Sequence, residues 1–375
     1  MGVGAFTLAR DRLVASERAQ LPSGQLCEEI VRAFHDIAGF AWAAVMTTDP
    51  QTMLPSGGVV EGFRPQDCVP FWDNELADPD VNKFVDLARS ADPVATLVES
   101  VDGELERSPR YTKLYTAVGA ADELRVAFVA GSSCLAVGVF VRPSDAGPFT
   151  LEELTDVRAL VPVATTALRR ALGRVLTDAT TRAPVVVMLD ADGAITSVSA
   201  GGRKILDDLR INVDGEFPGI VQVAAAKARW GRVASTLTTR LRSRSGRWMC
   251  LHVTPMEGGD GAVALTVEPA PPDDLVRVLL DSYGLTPRET EILLRLCRGL
   301  TTKEIAAELV ISAHTVRDHL KAIYDKAGVG SRGELVATLF SNHVLDRFHE
   351  TITHVDAGPA RDGPFPQAPG QLAHQ

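Results

Sequence analysis

In the stretch LCEEIVRAFHDIAGF, Leu26, Ile30, Phe34 and Ile37 recur at spacings of four, four and three, which puts them on one side of a helix. The apolar run AWAAVMTTDP after it predicts a strand ending in a turn at Asp49-Pro50. Residues 75–115 are polar and predict helix only in short pieces. LRVAFVAGSSCLAVGVFVRP (124–143) predicts two adjacent strands around Gly131-Ser132-Ser133. FTLEELTDVRALVPVATTALRRALGRVL (149–176) predicts a long helix with Leu154, Val157, Leu160 and Val161 along one side. Pro162 should kink or divide it, because proline lacks the N–H that the helix needs. This order of elements describes an α+β unit over residues 22–176, preceded by an N-terminal segment, 1–21.

The pattern then changes. APVVVMLDADGAITSVSAGGRKILDDL (183–209) predicts a strand, a tight turn at Asp190–Gly193, a second strand and a short helix. ASTLTTRLRSRSGRWMCLHVTPMEGGDGAVALTVEPA (234–270) predicts three strands around Ser245-Gly246 and Gly258-Gly259. Together they make a second, smaller α+β unit, 183–270. Alternation along its arginine-rich strand puts Arg240, Arg242 and Arg244 on one face. A solvated outer sheet face is the expectation there, with contacts to DNA or to acids of the first unit as the alternatives. EPAPPDD opens a proline-rich linker, 271–280, and the proline- and glycine-rich residues 346–375 predict a disordered tail.

Between linker and tail the period becomes helical and the start signals are dense. TPRE places Thr286 as the cap, Pro287 first in the helix and Glu289 three residues after the cap. TTKE repeats the pattern with Thr301 and Glu304, and SRGE with Ser331 and Glu334; Ser312 caps a further helix. Gly299 and Gly328 stand where helices should stop. In the third helix Val316, Leu320, Ile323 and Ala327 form an apolar stripe, while Arg317 and Lys321 lie four residues apart on another face. Ile305, Ala306 and Leu309 are the buried side of the second helix. The short connection Val310-Ile311-Ser312 forces these two helices to cross steeply, which is a helix-turn-helix geometry. A helix about 10–12 Å wide with its side chains fits a major groove about 12 Å wide. There Arg317 and Lys321 could donate to guanine edges and Asp318 could accept from cytosine. Thr302, Lys303, Ser312, His314, Thr315 and His319, near helix starts or flanks, are placed to meet phosphates or position the helix, and Lys326 to neutralise one more.

Charge narrows the picture. The chain of 375 residues carries a net charge of −10. Residues 1–175 hold 16 basic and 24 acidic groups, while residues 281–345 hold 8 of each. Contact with nucleic acid must therefore come from a local basic face, not from the whole surface. Cys27, Cys68, Cys134, Cys250 and Cys297 form no CxxC pair and no zinc spacing, so buried, reduced cysteines are expected. There is no leader-like start and no apolar run of membrane-spanning length, so a cytoplasmic chain without membrane contact is expected. His35 lacks a partner ligand one turn away and is expected to be structural. Phe71 and Trp72 in PFWDNELADPD (70–80) could line a ligand cavity or simply pack.

GLTPRETEILLRLCRGLTTKEIAAELVISAHTVRDHLKAIYDKAGVGSRGELV resembles, nearly end to end, the LuxR-type helix-turn-helix of bacterial transcription factors. The matching features are LTPRE, Glu291, Gly299, KEIA at 303–306, IS at 311–312, TV at 315–316, His319, Lys326, GV at 328–329 and Ser331-Arg332. The resemblance implies an all-α four-helix domain, 281–345. It implies base reading from Arg317, Asp318 and Lys321, phosphate contacts at Lys303, Thr315, His319 and Lys326, and a dimer contact on the fourth helix with Leu335 and Leu339 as its apolar edge. Asp318 departs from the pattern, since an acid in the groove disfavours most bases. Upstream, 22–176 resembles a GAF-type and 183–270 a PAS-type sensor. The expectation is thus a multidomain chain, two α+β sensor domains followed by the helix-turn-helix. It would act as a non-enzymatic, DNA-binding regulator that senses a small molecule or partner. Double-stranded DNA, a second copy of the chain and RNA polymerase are the expected partners. No cofactor is expected, and the sensed ligand is not specified by the sequence. No receiver-type acidic pocket or Walker-type phosphate loop is found. The competing reading is a protein-interaction regulator whose helical module binds polymerase or a sigma-like partner instead of DNA.

Overall fold

The structure is a computed structural model, and it describes residues 2–64, 67–131, 133–173, 184–209, 219–230, 236–244, 246–257, 261–271 and 283–341. The first unit is a five-stranded antiparallel sheet in the order β2-β1-β5-β4-β3, with β1 Trp42–Thr48, β2 Pro55–Glu61, β3 Val94–Thr96, β4 Ala120–Ala130 and β5 Ser133–Pro143. Helices α1 (Gly2–Arg18), α2 (Ser23–Ala38) and α6 (Leu151–Leu172) pack together, and they share one apolar cluster with residues such as Val45, Leu124 and Phe140 of the sheet. Phe34 of α2 stacks on Phe140 at 5.0 Å and meets Phe128 edge-on at 5.9 Å. The predicted N-terminal segment is thus a helix whose Ala9 and Leu13 are fully buried. Pro162 does not divide α6, because the burial of Leu160, Val161, Ala164 and Leu168 on either side of it holds the helix together.

The other face of this sheet is covered too. Ala44, Met46, Val137, Val139 and Val141 belong to a second apolar cluster, which explains why β5 reads as an almost continuous hydrophobic run. Short helices α3 (Cys68–Leu76), α4 (Phe84–Leu87) and α5 (Leu97–Ser100) occupy the irregular stretch between β2 and β4. They are anchored by a buried ionic network. Arg110 reaches Glu123 at 2.7 Å and the Asn74 amide oxygen at 3.2 Å, while Arg125 reaches Glu75 at 2.7 Å. Burial pushes the Glu123 carboxyl up, but the two guanidinia outweigh it and hold the group below its ordinary range.

The second unit repeats the same strand order. Its sheet runs β7-β6-β10-β9-β8, from β6 Val185–Leu189, β7 Ile195–Val198, β8 Leu237–Arg242, β9 Trp248–Pro255 and β10 Val263–Pro269. It carries α7 (Gly202–Asp208) and α8 (Gly219–Trp230), a helix outside the sequence-based expectation. The two sheets do not make two separate cores, since the second apolar cluster runs from β1 and β5 into α8 and β6, β9 and β10. The arginine strand is where expectation and structure part most clearly. Arg240 and Arg242 are buried at 4% and 7% exposure, not solvated. Arg240 pairs with Asp49 of the first unit at 3.3 Å, and Arg242 donates to the carbonyl of Ala171. The face is covered because β8 packs beside β2. The expected tail, and all but Pro271 of the expected linker, lie outside the described residues.

Candidate nucleic-acid interface and sensor cavity

The C-terminal helices are α9 (Pro287–Cys297), α10 (Thr302–Leu309), α11 (Ala313–Ala327) and α12 (Arg332–Ser341). Thr286 and Thr301 close full capping boxes with Glu289 and Glu304. Ser312 accepts from the Thr315 N–H at 3.0 Å. Ser331 accepts from the Glu334 N–H at 3.1 Å, but Glu334 returns its bond to Gly330, so this box is only half made. The turn between α10 and α11 passes through Val310 at φ 54, a left-handed conformation that is rare for a β-branched side chain. Val310 is 89% exposed, so nothing in the described fold rewards its side chain there.

The apolar stripe of α11 is inward, with Val316 and Ile323 at 0% and Leu320 at 7% exposure. Arg317, Asp318 and Lys321 are all exposed on the opposite side, and no ion pair among the described residues engages Arg317 or Lys321. Asp318 instead receives the imidazole of His314 one turn earlier, at 2.8 Å. Lys303 is exposed at the start of α10, beside half-buried Thr302, and half-buried Thr315 shares a hydroxyl bond with Ser312 at 2.9 Å. His319 is half-buried on the flank. Arg317, Asp318 and Lys321 thus share the exposed side of α11, and Lys303 is exposed at the start of α10.

Two expected assignments meet partners inside the domain. Lys326 is half-buried and paired. Its ammonium lies 2.6 Å from the buried Glu289 carboxylate and ties the last turn of α11 to the first turn of α9. Burial pushes Glu289 up, but Lys326 and the N–H and hydroxyl of Thr286 hold it below the usual carboxylate range. Leu335 and Leu339 cannot form the edge of a dimer contact, because at 0% and 6% exposure they fill the same core as Val316 and Ile323. The spacing of four that marks them as one face of α12 was right, but that face points inward. Sequence reasoning also missed two clamps. Arg332 donates to the carbonyls of Leu300 and Leu296, and Arg288 to that of Leu309, which satisfies helix ends and the turn after α9.

Residues 283–339 match the family described as bacterial regulatory proteins, luxR family. The spore germination protein GerE of Bacillus subtilis is 47% identical to this chain over 55 residues, which are 74% of that protein. The chain belongs to the LuxR family. Other relatives agree with that membership only through the helical domain. A probable HTH-type transcriptional regulator, GfsR of Streptomyces halstedii, is 47% identical over 53 residues, which are 14% of this chain and 22% of that one. The chain spans 22% to 31% of the length of the first relatives it matches. Among solved structures, Escherichia coli SdiA overlays 91% of this LuxR-family chain at 14% identity, with a TM-score of only 0.29.

A second candidate site lies in the first unit, on the sheet face away from α2 and α6. A half-enclosed cavity of about 260 Å³ is lined by Trp42, Met46, Phe71, Trp72, Tyr115 and Val139, among others. Phe71 and Trp72 had been singled out in the sequence, and both line it. Trp42, Met46 and Val139 come from strands whose second face is buried, and the near-continuous apolar runs of β1 and β5 were the signal available for them. Among the described residues no cluster of His, Cys, Asp or Glu is suited to a metal, and no helix is long and apolar enough to cross a membrane.

Proposed function

We propose that this LuxR-family chain is a sequence-specific DNA-binding transcriptional regulator whose two α+β units, GAF-like and PAS-like, sense a small molecule or partner and control the helix-turn-helix. The observation that carries the reading is the exposure of Arg317 and Lys321 on α11 while Val316, Leu320 and Ile323 anchor the same helix. The two exposed cations are spaced by four residues and can reach adjacent base edges. Asp318 enters the groove as a His314–Asp318 pair, which tempers its repulsion of phosphate. Lys303, Thr302, Ser312, Thr315 and His319 fix the helix on the backbone. The alternative of a polymerase-binding module has no observation of its own in its favour. The cavity of the first unit and the shared strand order of the two sheets support the sensor part.

The test is a titration of the full chain against duplexes selected from a random pool and against unselected duplexes. Arg317→Ala or Lys321→Ala should cost about 1–3 kcal/mol at the selected site and relax one base position. Lys303→Ala should weaken every duplex alike and lower the salt slope by about 1. Equal losses for all three variants on all duplexes would overturn these roles.

A further inference from the structure

The cavity of the first unit and the junction with the second unit share a wall. Helix α3 gives Cys68, Phe71 and Trp72 to the cavity and also packs against α8. The approach is close: a Cβ placed on Gly219, the first residue of α8, would stand 3.0 Å from the Cys68 sulfur. Phe71 and Trp72 meet edge to face at 5.5 Å, and Arg125 lies 5.1 Å from the centre of the Phe71 ring. The C-terminal half of α3 is held by Asn74 and Glu75 in the ionic network. A displacement of Phe71 or Trp72 by a molecule in the cavity would therefore act on a helix that also packs against α8.

The lining also states what kind of molecule fits. The walls are aromatic and aliphatic. The charged groups at the cavity, Arg64 and Asp67, pair with each other at 2.7 Å, and Arg64 stays about half exposed to water. The Tyr115 hydroxyl donates its proton to Glu123 at 2.6 Å. Burial pushes the Cys68 thiol up to about 11, so it is neutral. An ionised ligand would lose its hydration between these walls, and the cation among the described lining residues, Arg64, already faces Asp67. The volume is just under the ~300–1,000 Å³ range of small-molecule pockets, which suits a compact molecule.

We infer that the cavity takes a neutral, mainly apolar small molecule, and that its occupancy is passed to the second unit through α3 and Gly219 of α8. The inference rests on the sensor part of the proposed function and gives it a ligand class and a route. Naphthol and decanol, each beside its ionised counterpart naphthoate or decanoate, are titrated into the full chain while tryptophan fluorescence is followed, since Trp42 and Trp72 face the cavity. At least one neutral probe should bind about tenfold or more tighter than its ionised counterpart. Ala44→Phe and Val60→Phe, which narrow the cavity, should abolish that binding, with a cooperative thermal transition reporting that each variant folds. Gly219→Ala should shift the probe's affinity severalfold, whereas Gly24→Ala, where a Cβ meets open space, should not. Failure of both neutral probes to bind, equal binding of the ionised forms, or binding that survives both filled cavities overturns the ligand class. An unchanged affinity in Gly219→Ala overturns the route. A probe that binds but leaves DNA affinity unchanged counts against the sensor function and not against the cavity.

Discussion

Lys326 shows how one side chain can carry a family resemblance for a structural reason. Its partner Glu289 is the third helical residue of a capping box, and its side chain is 6% exposed. Removing the ammonium leaves a buried carboxylate that keeps only the Thr286 donors. Lys326→Met should therefore lower the unfolding free energy of the helical domain by about 1–3 kcal/mol, read by denaturant titration of the full chain. The pH dependence follows from the depressed pKa of Glu289. A carboxylate whose folded pKa lies below its unfolded value stabilises the fold above the unfolded pKa, about 4.3 for glutamate. That stabilisation is lost as pH falls through the folded value. Wild type should thus lose stability more steeply than Lys326→Met below about pH 4.3, and parallel acid profiles would sink the pairing. Stability rather than salt slope should be what moves most in this variant, in contrast to Lys303, which is exposed at the start of α10 and is proposed to meet phosphate.

At the scale of elements, the strand β8 behaves as a bolt between the two α+β units. Asp49, 1% exposed, accepts from the N–H of Arg240 at 2.8 Å, the Thr239 hydroxyl at 3.2 Å and the Arg240 guanidinium at 3.3 Å. Nearby, Lys227 of α8 donates to the Thr52 carbonyl at 2.5 Å. Arg240→Met strands a buried charge and should cost about 3–5 kcal/mol, while adding Asp49→Asn should recover part of that loss, because neutralising both partners removes the stranded charge. A loss below about 1 kcal/mol in the single variant would mean that the junction is hydrated in solution. The same strand shows what a sequence can and cannot declare. Alternation correctly put Arg240 and Arg242 on one face, yet only a partner more than 180 residues away decides that the face is covered. The helix starts at Thr286, Thr301 and Ser312 were legible because a cap and its bond lie within three residues. The inward side of α12 was not, because a four-residue spacing defines a face without saying which way it turns. The cavity was legible at Phe71 and Trp72 alone, since Trp42, Met46 and Val139 look like any other strand interior until the sheet's second face is seen to be covered.

For the molecule as a whole, charge and geometry together argue for binding as a pair. The chain carries −10, with the excess of acid concentrated in residues 1–175, which disfavours an approach of that part to phosphate. On the proposed reading, one helix brings Arg317, Asp318 and Lys321 to the bases. If each good bidentate contact gives about 1–3 kcal/mol of discrimination, one helix cannot separate a site from the ~10⁶–10⁹ competing positions of a genome. Two copies on half-sites about one helical turn apart, ~34–36 Å, add their discrimination. With Leu335 and Leu339 committed to the domain core, a pairing surface on α12 would have to use outward residues such as half-buried Val336 and exposed Ala337, or else lie in the α+β units. Duplexes carrying two selected half-sites should bind far more tightly than duplexes carrying one. Inserting about half a helical turn, ~5 base pairs, between the half-sites should remove most of that gain by rotating one site to the far side of the duplex. Identical affinities for one and two half-sites, or indifference to the inserted half-turn, would show that a single copy does the reading, and the missing discrimination would then have to come from the shape of the DNA.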